Sequence, residues 1–198
     1  SQIVDFNKIR LVAPAAAAAA SSLLSPVAWS APGDLDPSFG DLGRALYADA
    51  FGEVWSVAMD GDDVLFDGSG SDASYYSGYD FAGFIDRFSS DGTPDSLFPG
   101  FRLANADFRD IARQSDGKIL AAGRVYDSGG RAGIAVMRLL ADGSPDAGFG
   151  SGGTVVVKAS GALNQGGTSM VLEPDGRITV AGVRDDGKLV VVRLTSDG

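Results

Sequence analysis

In the last third of the chain, short apolar runs alternate with turns rich in Gly, Asp and Ser. The runs Thr154–Lys158, Ser169–Glu173, Arg177–Ala181 and Lys188–Leu194 are too short for helices and carry many β-branched residues, so each predicts a strand. Pro174-Asp175-Gly176 and Asp185-Asp186-Gly187 separate them. Asp-Gly supplies the positive φ values of a tight turn, so these breaks predict hairpins. Residues 159–167 are Gly-, Asn- and Ser-rich and predict a loop. Val190-Val191-Val192 is apolar at every position, which predicts a strand covered on both faces.

The same layout recurs upstream, marked by three landmarks. The first is an Asp/Gly turn followed by Asp-x-x-Phe: Asp36 to Phe39, Asp95 to Phe98, Asp146 to Phe149. The second is Asp-Gly and an apolar run ending in Gly: Asp60-Gly61 to Gly68, Asp116-Gly117 to Gly123, Asp175-Gly176 to Gly182. The third is an apolar strand with one Arg, at Arg87, Arg138 and Arg193. Equivalent positions lie 51 to 59 residues apart. A unit of four short antiparallel strands every ~40–50 residues is the pattern of a propeller blade. One blade cannot cover both its faces, so blades must stack. A β-solenoid is the competing architecture, but its coils are shorter and lack two hairpin turns per repeat. The expected fold is therefore all-β: consecutive four-stranded antiparallel blades of β-propeller type. About three units fall short of the ~4–8 that close a propeller, so an incomplete, open propeller is expected. The expected divisions are a repeat domain over 32–198 with blades near 33–90, 91–141 and 142–198. Asp197-Gly198 opens another Asp-Gly element, so the repeat reads as cut at its C-terminal end, with apolar residues from Val171 to Leu194 left exposed.

Residues 1–31 have a different texture. Lys8 and Arg10 precede an Ala-rich apolar stretch from Leu11 to Leu24, and Ala28-Trp29-Ser30 fits a small-x-small cleavage pattern. This is the layout of a secretory signal peptide. An uncleaved anchor and an Ala-rich helix of the fold are the alternatives. Pro14 and Pro26 shorten any continuous helix, and a span needs roughly 20 apolar residues. The expected location is exported: secreted, periplasmic or cell surface. No stable membrane insertion is expected after cleavage.

Composition narrows the chemistry. The net charge is −10, which repels nucleic acid and anionic lipid, so no nucleic-acid partner is expected. Cys and His are both absent, which removes disulfides, Cys nucleophiles, structural zinc of the usual kind and His general bases. Asp60, Asp62 and Asp63 form the densest acidic cluster and are the calcium candidates; plain turn chemistry is the competing reading, and no cofactor is otherwise expected. Arg87, Arg138 and Arg193 suit a recurring ion pair with Asp36, Asp95 and Asp146 better than a ring that reads an anionic ligand. Phe39, Phe98 and Phe149 read as core wedges. The insertion 69–83 carries Tyr75, Tyr76 and Tyr79 among Ser and Gly, a composition that makes adaptable binding loops.

These landmarks resemble the delta-60 repeat family of bacterial exported proteins. The resemblance rests on Asp-Gly-[Ser/Thr]-x-Asp-x-x-Phe, matched at 91–98 and 142–149. It rests also on Asp-Gly-[Lys/Arg]-Ile-x-x-Ala-Gly at 116–123 and 175–182 and Arg-Leu-x-x-Asp-Gly at 138–143 and 193–198. It spans about 33–198. It implies β-propeller material from large secreted or surface proteins and carries over no catalytic residue. The first copy departs from the pattern: Asp60-Gly61-Asp62-Asp63 lacks the basic residue after the turn, and Phe66-Asp67-Gly68 replaces Ala-Ala-Gly. The expected function is a non-catalytic exported scaffold that presents inter-strand loops to a protein or glycan partner and packs against further repeats. A propeller-based hydrolase or lyase, with its catalytic part outside this sequence, is the alternative.

Overall fold

Three Asp-Gly pairs set the first hairpin of each repeat: Gly61, Gly117 and Gly176 all take positive φ, at 66°, 89° and 86°, where a side chain is strained. The computed structural model describes residues 33–46, 50–72, 82–158 and 165–198. The compact unit Leu35–Gly198 holds every described strand; Ser1–Asp34 is a separate unit, nearly all of it outside the described residues, as is the expected signal segment.

The fold is all-β, and no helix occurs among the described residues. β1 (Ala50–Asp60), β2 (Asp63–Asp72), β3 (Ala82–Phe88) and β4 (Phe101–Ala104) form the first sheet in that order. β5 (Ala106–Arg113), β6 (Ile119–Tyr126), β7 (Ala132–Leu139) and β8 (Thr154–Val157) form the second. β9 (Gln165–Leu172), β10 (Ile178–Arg184) and β11 (Leu189–Leu194) form the third, which has three strands among the described residues rather than four. Every pairing is antiparallel. The sheets follow one another as the blades of an open propeller, with the inner strands β1, β5 and β9 side by side.

The hydrogen-bonded sheets are offset from the sequence units 33–90, 91–141 and 142–198. The run from Thr154, read as the first strand of the third unit, pairs with β7 from Met137↔Thr154 to Ile134↔Val157. The Asp146–Phe149 element turns the chain back onto the outer edge of its own sheet, and β4 returns to β3 in the same way. Each unit thus opens with the last strand of the preceding sheet.

The core lies between sheets. Leu65, Ile85, Phe98 and Phe108 pack with Ile119, Ala121, Met137 and Leu139 between the first and second. Leu120, Ala122, Ile134 and Val136 pack with Phe149, Ile178 and Val180 between the second and third. Successive residues of β6 therefore face opposite neighbours, as a pleated strand requires, and every residue of β7 is buried. A fully buried aliphatic side chain contributes about 1.5–3 kcal/mol relative to an exposed one, so the middle sheet is held from both sides. Among the described residues the outer face of the third sheet has no such cover: Val171, Leu189 and Val191 are exposed.

Candidate functional site

The repeated Arg, Asp and Phe residues meet in two complete clamps. Arg87 Nε lies 2.8 Å from Asp95 Oδ2, and its guanidinium sits 4.8 Å from the centre of the Phe98 ring. Arg138 Nε lies 2.8 Å from Asp146 Oδ2, with the Phe149 ring at 4.4 Å. Phe98 and Phe149 are buried between successive sheets. Asp95 is held below the usual carboxylate range first by the Leu97 amide and then, against the cost of burial, by Arg87; Asp146 is held low by the Gly148 amide and Arg138. The third set does not assemble within the chain. Arg193 turns instead to Glu173 Oε1 at 2.8 Å and Thr179 Oγ1 at 3.1 Å. Asp36 accepts from the amide and hydroxyl of Ser38 at 2.9 and 2.6 Å, and Phe39 is half-buried.

Of the calcium candidates, Asp60 accepts from Arg87 NH1 at 2.6 Å and also meets Arg113. Asp63 accepts from the Ser90 amide at 3.0 Å, and Asp62 is exposed at the turn. Among the described residues no three acidic side chains converge as a metal cage. Tyr75, Tyr76 and Tyr79 lie outside the described residues.

A second constellation lies on the inner strands. Each breaks register at a bulge: between Val54 and Ser56, between Phe108 and Asp110, and between the partners of Ala181 and Gly182. The extra residues are Trp55, Arg109 and Thr168. Gly68, Gly123 and Gly182 stand opposite, where a Cβ would strike the carbonyl oxygens of Glu53, Asp107 and Gly166. The final Gly of the second landmark is thus required by close backbone approach rather than by φ.

The bulge side chains form a band. The Arg109 guanidinium stacks 3.9 Å from the Trp55 ring centre, and Trp55 keeps 42% of its surface exposed. Arg109 is fixed by two bonds to Asp107, Nε to Oδ1 at 3.0 Å and NH2 to Oδ2 at 2.6 Å. Arg124 Nε approaches the same carboxylate at 3.4 Å and reaches Tyr126 Oη through NH1 at 3.3 Å. The band ends in a cleft of ≈ 260 Å³ between β6 and the third sheet, lined by Arg124, Tyr126, Gln165, Thr168, Arg184 and Asp185. Cation–π stacking and bidentate ion pairing fix these groups before any ligand arrives. Sequence reasoning missed Trp55, Arg109 and Thr168 because a bulge adds its residue to one strand only. The available signal was the glycine repeated opposite each bulge.

Below the band, Asp110 ties the three inner strands together. Its Oδ1 accepts from Ser56 Oγ at 3.4 Å, and its Oδ2 accepts from the Met170 amide at 2.6 Å and Ser169 Oγ at 3.3 Å. Asp67 on β2 is fully buried, and neither of its carboxyl oxygens has a hydrogen-bond partner of good geometry. Burial, then the charge of Asp110 and, more weakly, that of Asp107 push its pKa up to about 8; the nearby Ser56 amide opposes them. This protonated carboxyl falls in the range of a general acid, but its enclosure keeps it from any substrate.

Two segments, 114–149 and 173–198, match the model of a family described as "Domain of unknown function (DUF5122) beta-propeller", so the chain is similar to a β-propeller repeat family. No curated protein matches the chain. Among solved structures, a mannose phosphorylase from Leishmania mexicana, MPT-4 in complex with phosphate ion, aligns over 70% of this chain and 44% of its own length. The identity is 18% and the TM-score 0.37, a likeness too loose to carry fold or activity across. The chain spans less than half the length of that protein.

Proposed function

We propose that the protein is an exported, non-catalytic repeat scaffold of the delta-60 kind that binds a glycan or protein partner. The observation that carries this reading is the inner-strand band from Trp55 through Arg109, Asp107 and Arg124 to the ≈ 260 Å³ cleft. An exposed indole face beside fixed guanidinium, carboxylate, phenol and amide groups suits a sugar, whose rings present C–H faces and hydroxyl edges together. The loop carrying Tyr75, Tyr76 and Tyr79 is a second presenting surface in this reading, and residues 8–31 are the export signal. The acidic turn at Asp60–Asp63 serves ion pairs rather than calcium, because Arg87 and Arg113 already occupy Asp60.

Glycan-array binding of the 198-residue chain tests the main point. Binding to one carbohydrate class is expected, with Trp55→Ala and Arg124→Ala each weakening it at least about tenfold. Binding that both variants leave unchanged defeats the assignment of the band. N-terminal sequencing of secreted material, expected to begin near Ala31 or Pro32, tests export.

A further inference from the structure

The seam between the second and third sheets changes character along its length. Alternate residues of β6 face the third sheet, so Leu120 and Ala122 in the core are followed by Arg124 and Tyr126. Alternate residues of β10 face the second sheet, so Ile178 and Val180 are followed by Gly182 and Arg184. The apolar core therefore ends in two guanidinium groups, and both line the ≈ 260 Å³ cleft. Gly166 makes room for the first of them: a Cβ there would come within 3.1 Å of Arg124 Nε. The matching positions of the seam between the first and second sheets hold Ser69 and Val125, which carry no charge.

Like charges that share a partly dry cleft repel unless an anion neutralises them. The carboxylates nearby are largely taken. Asp107 already accepts two bonds from Arg109 and comes only within 3.4 Å of Arg124 Nε. Asp186 lies 3.3 Å from Arg184 NH2 but also 3.5 Å from Lys188 Nζ. Asp185 stands at the exposed rim. Each guanidinium offers five N–H donors. Among the described residues Arg124 otherwise donates only to Tyr126 Oη, at 3.3 Å, and Arg184 Nε meets no acceptor. Donors therefore remain on both sides of the cleft.

We propose that the cleft seats the anionic substituent of an acidic sugar, a carboxylate or sulfate ester held between Arg124 and Arg184. This rests on the reading of the band as a glycan site and names the class of glycan. Planar guanidinium forks match the paired oxygens of such a group. Gln165, Thr168 and Tyr126 line the same cleft with amide and hydroxyl groups suited to ring hydroxyls. At ≈ 260 Å³ the cleft is smaller than the ~300–1,000 Å³ of drug-sized pockets, which fits one substituted ring rather than several. Trp55, at the other end of the band, takes a further ring of the same glycan. Its exposed indole face is what favours a sugar over an acidic peptide.

The test is binding of the 198-residue chain to an array that carries neutral, uronic-acid and sulfated glycans. Hits should be confined to the charged glycans. Reducing the carboxyl of a uronate hit to the alcohol, or desulfating a sulfated hit, should weaken binding at least about tenfold, and the treatment that acts identifies the group. Arg184→Gln and Arg124→Gln should each cause a similar loss on the charged glycan and little further loss on the neutralised one, because both changes remove the same contact. Trp55→Ala should weaken both forms alike, and Lys188→Gln should weaken neither. Far-UV circular dichroism of every variant should match the wild type. Hits confined to neutral glycans, and weakened by Trp55→Ala, overturn this proposal and leave the glycan scaffold standing. So do charged hits that both arginine variants bind normally, or a hexaglutamate peptide that competes as well as the glycan does. A chain that binds no glycan defeats the underlying reading, and this proposal with it.

Discussion

Replacing Asp67 with Ala should stabilise the protein, by an amount that grows with pH. Ala122 and Ala181 occupy the matching positions of the other two repeats, so the backbone there already accepts a methyl group. The cost removed follows from the carboxyl's shift from 3.8 to about 8. Between those values the folded chain holds a proton that the unfolded chain has released. Stability therefore falls as pH rises through this window and levels off above about 8. At about 1.4 kcal/mol per unit, the three units from the unfolded pKa to pH 7 set a ceiling of about 4 kcal/mol. Local relaxation and water entry reduce such penalties, so about 2 kcal/mol is the working figure. The neutral, poorly satisfied carboxyl adds about 1 kcal/mol that does not depend on pH. Asp67→Ala should thus gain about 3 kcal/mol at pH 7 and about 1 kcal/mol at pH 4. Asp110 and Asp107 are the charged groups that face this carboxyl, and neither is altered by the substitution. Urea unfolding followed by circular dichroism, at pH 4, 5.5, 7 and 8.5, measures the gain. A gain that is flat with pH, or a loss at pH 7, would show that Asp67 is ionised and satisfied in the folded protein, and the reasoning would be wrong.

Phe149→Ala should cost roughly 3–5 kcal/mol, and Phe39→Ala distinctly less because its ring is only half-buried; equal shifts in denaturation midpoint would contradict the wedge assignment. Gly123→Ala should cost about 1–3 kcal/mol, since its Cβ meets the Asp107 carbonyl on a backbone that cannot yield freely; an unchanged midpoint would mean that the bulge relaxes. Asp95, Asp146 and Glu173 are all held below their ordinary pKa, and the Lys158 ammonium, ahead of the amides of the 127–131 turn, holds Asp127 down to about 2. Their contribution is complete above the unfolded carboxylate range and fades as pH falls through the lowered values, so stability should drop steadily below about pH 4. Millimolar calcium should leave the melting temperature unchanged; a rise of several degrees, abolished by Asp62→Asn, would restore the acidic turn as a metal site.

Strand existence was legible because each strand is a short β-branched or apolar run closed by an Asp-Gly turn, and both signals are local. Strand partnership was not legible. Thr154–Val157 looks like the opening strand of the unit that follows it, and nothing within those residues records that they bond back to β7. That information lies in the Asp146–Phe149 element, whose amides and carboxylate bind Arg138 and reverse the chain. The clamp residues recur in order and could be grouped from the sequence, yet only coordinates separate the two closed clamps from Arg193, which Glu173 occupies.

The inner-strand band shows a deeper reason for the limit. Landmarks are found by what repeats, whereas Trp55, Arg109 and Thr168 differ from repeat to repeat. What repeats at those places is the glycine opposite, which is there so that a carbonyl can approach. The bulge is therefore a fixed backbone device that presents a variable side chain where the three inner strands meet. Such a backbone is held constant while one residue per repeat varies, so under the proposed binding function folding and recognition rest on different residues. Asp67 shows the cost of breaking that separation. It sits one residue before the repeated glycine, at a position where the other repeats place alanine, buried in the core at Ala122 and exposed at Ala181. A carboxyl there gains no ion pair, raises its own pKa through burial and Asp110, and reaches neither solvent nor ligand. Its presence weakens the contact between the first and second sheets, and that contact should be the first to open as pH rises toward 8.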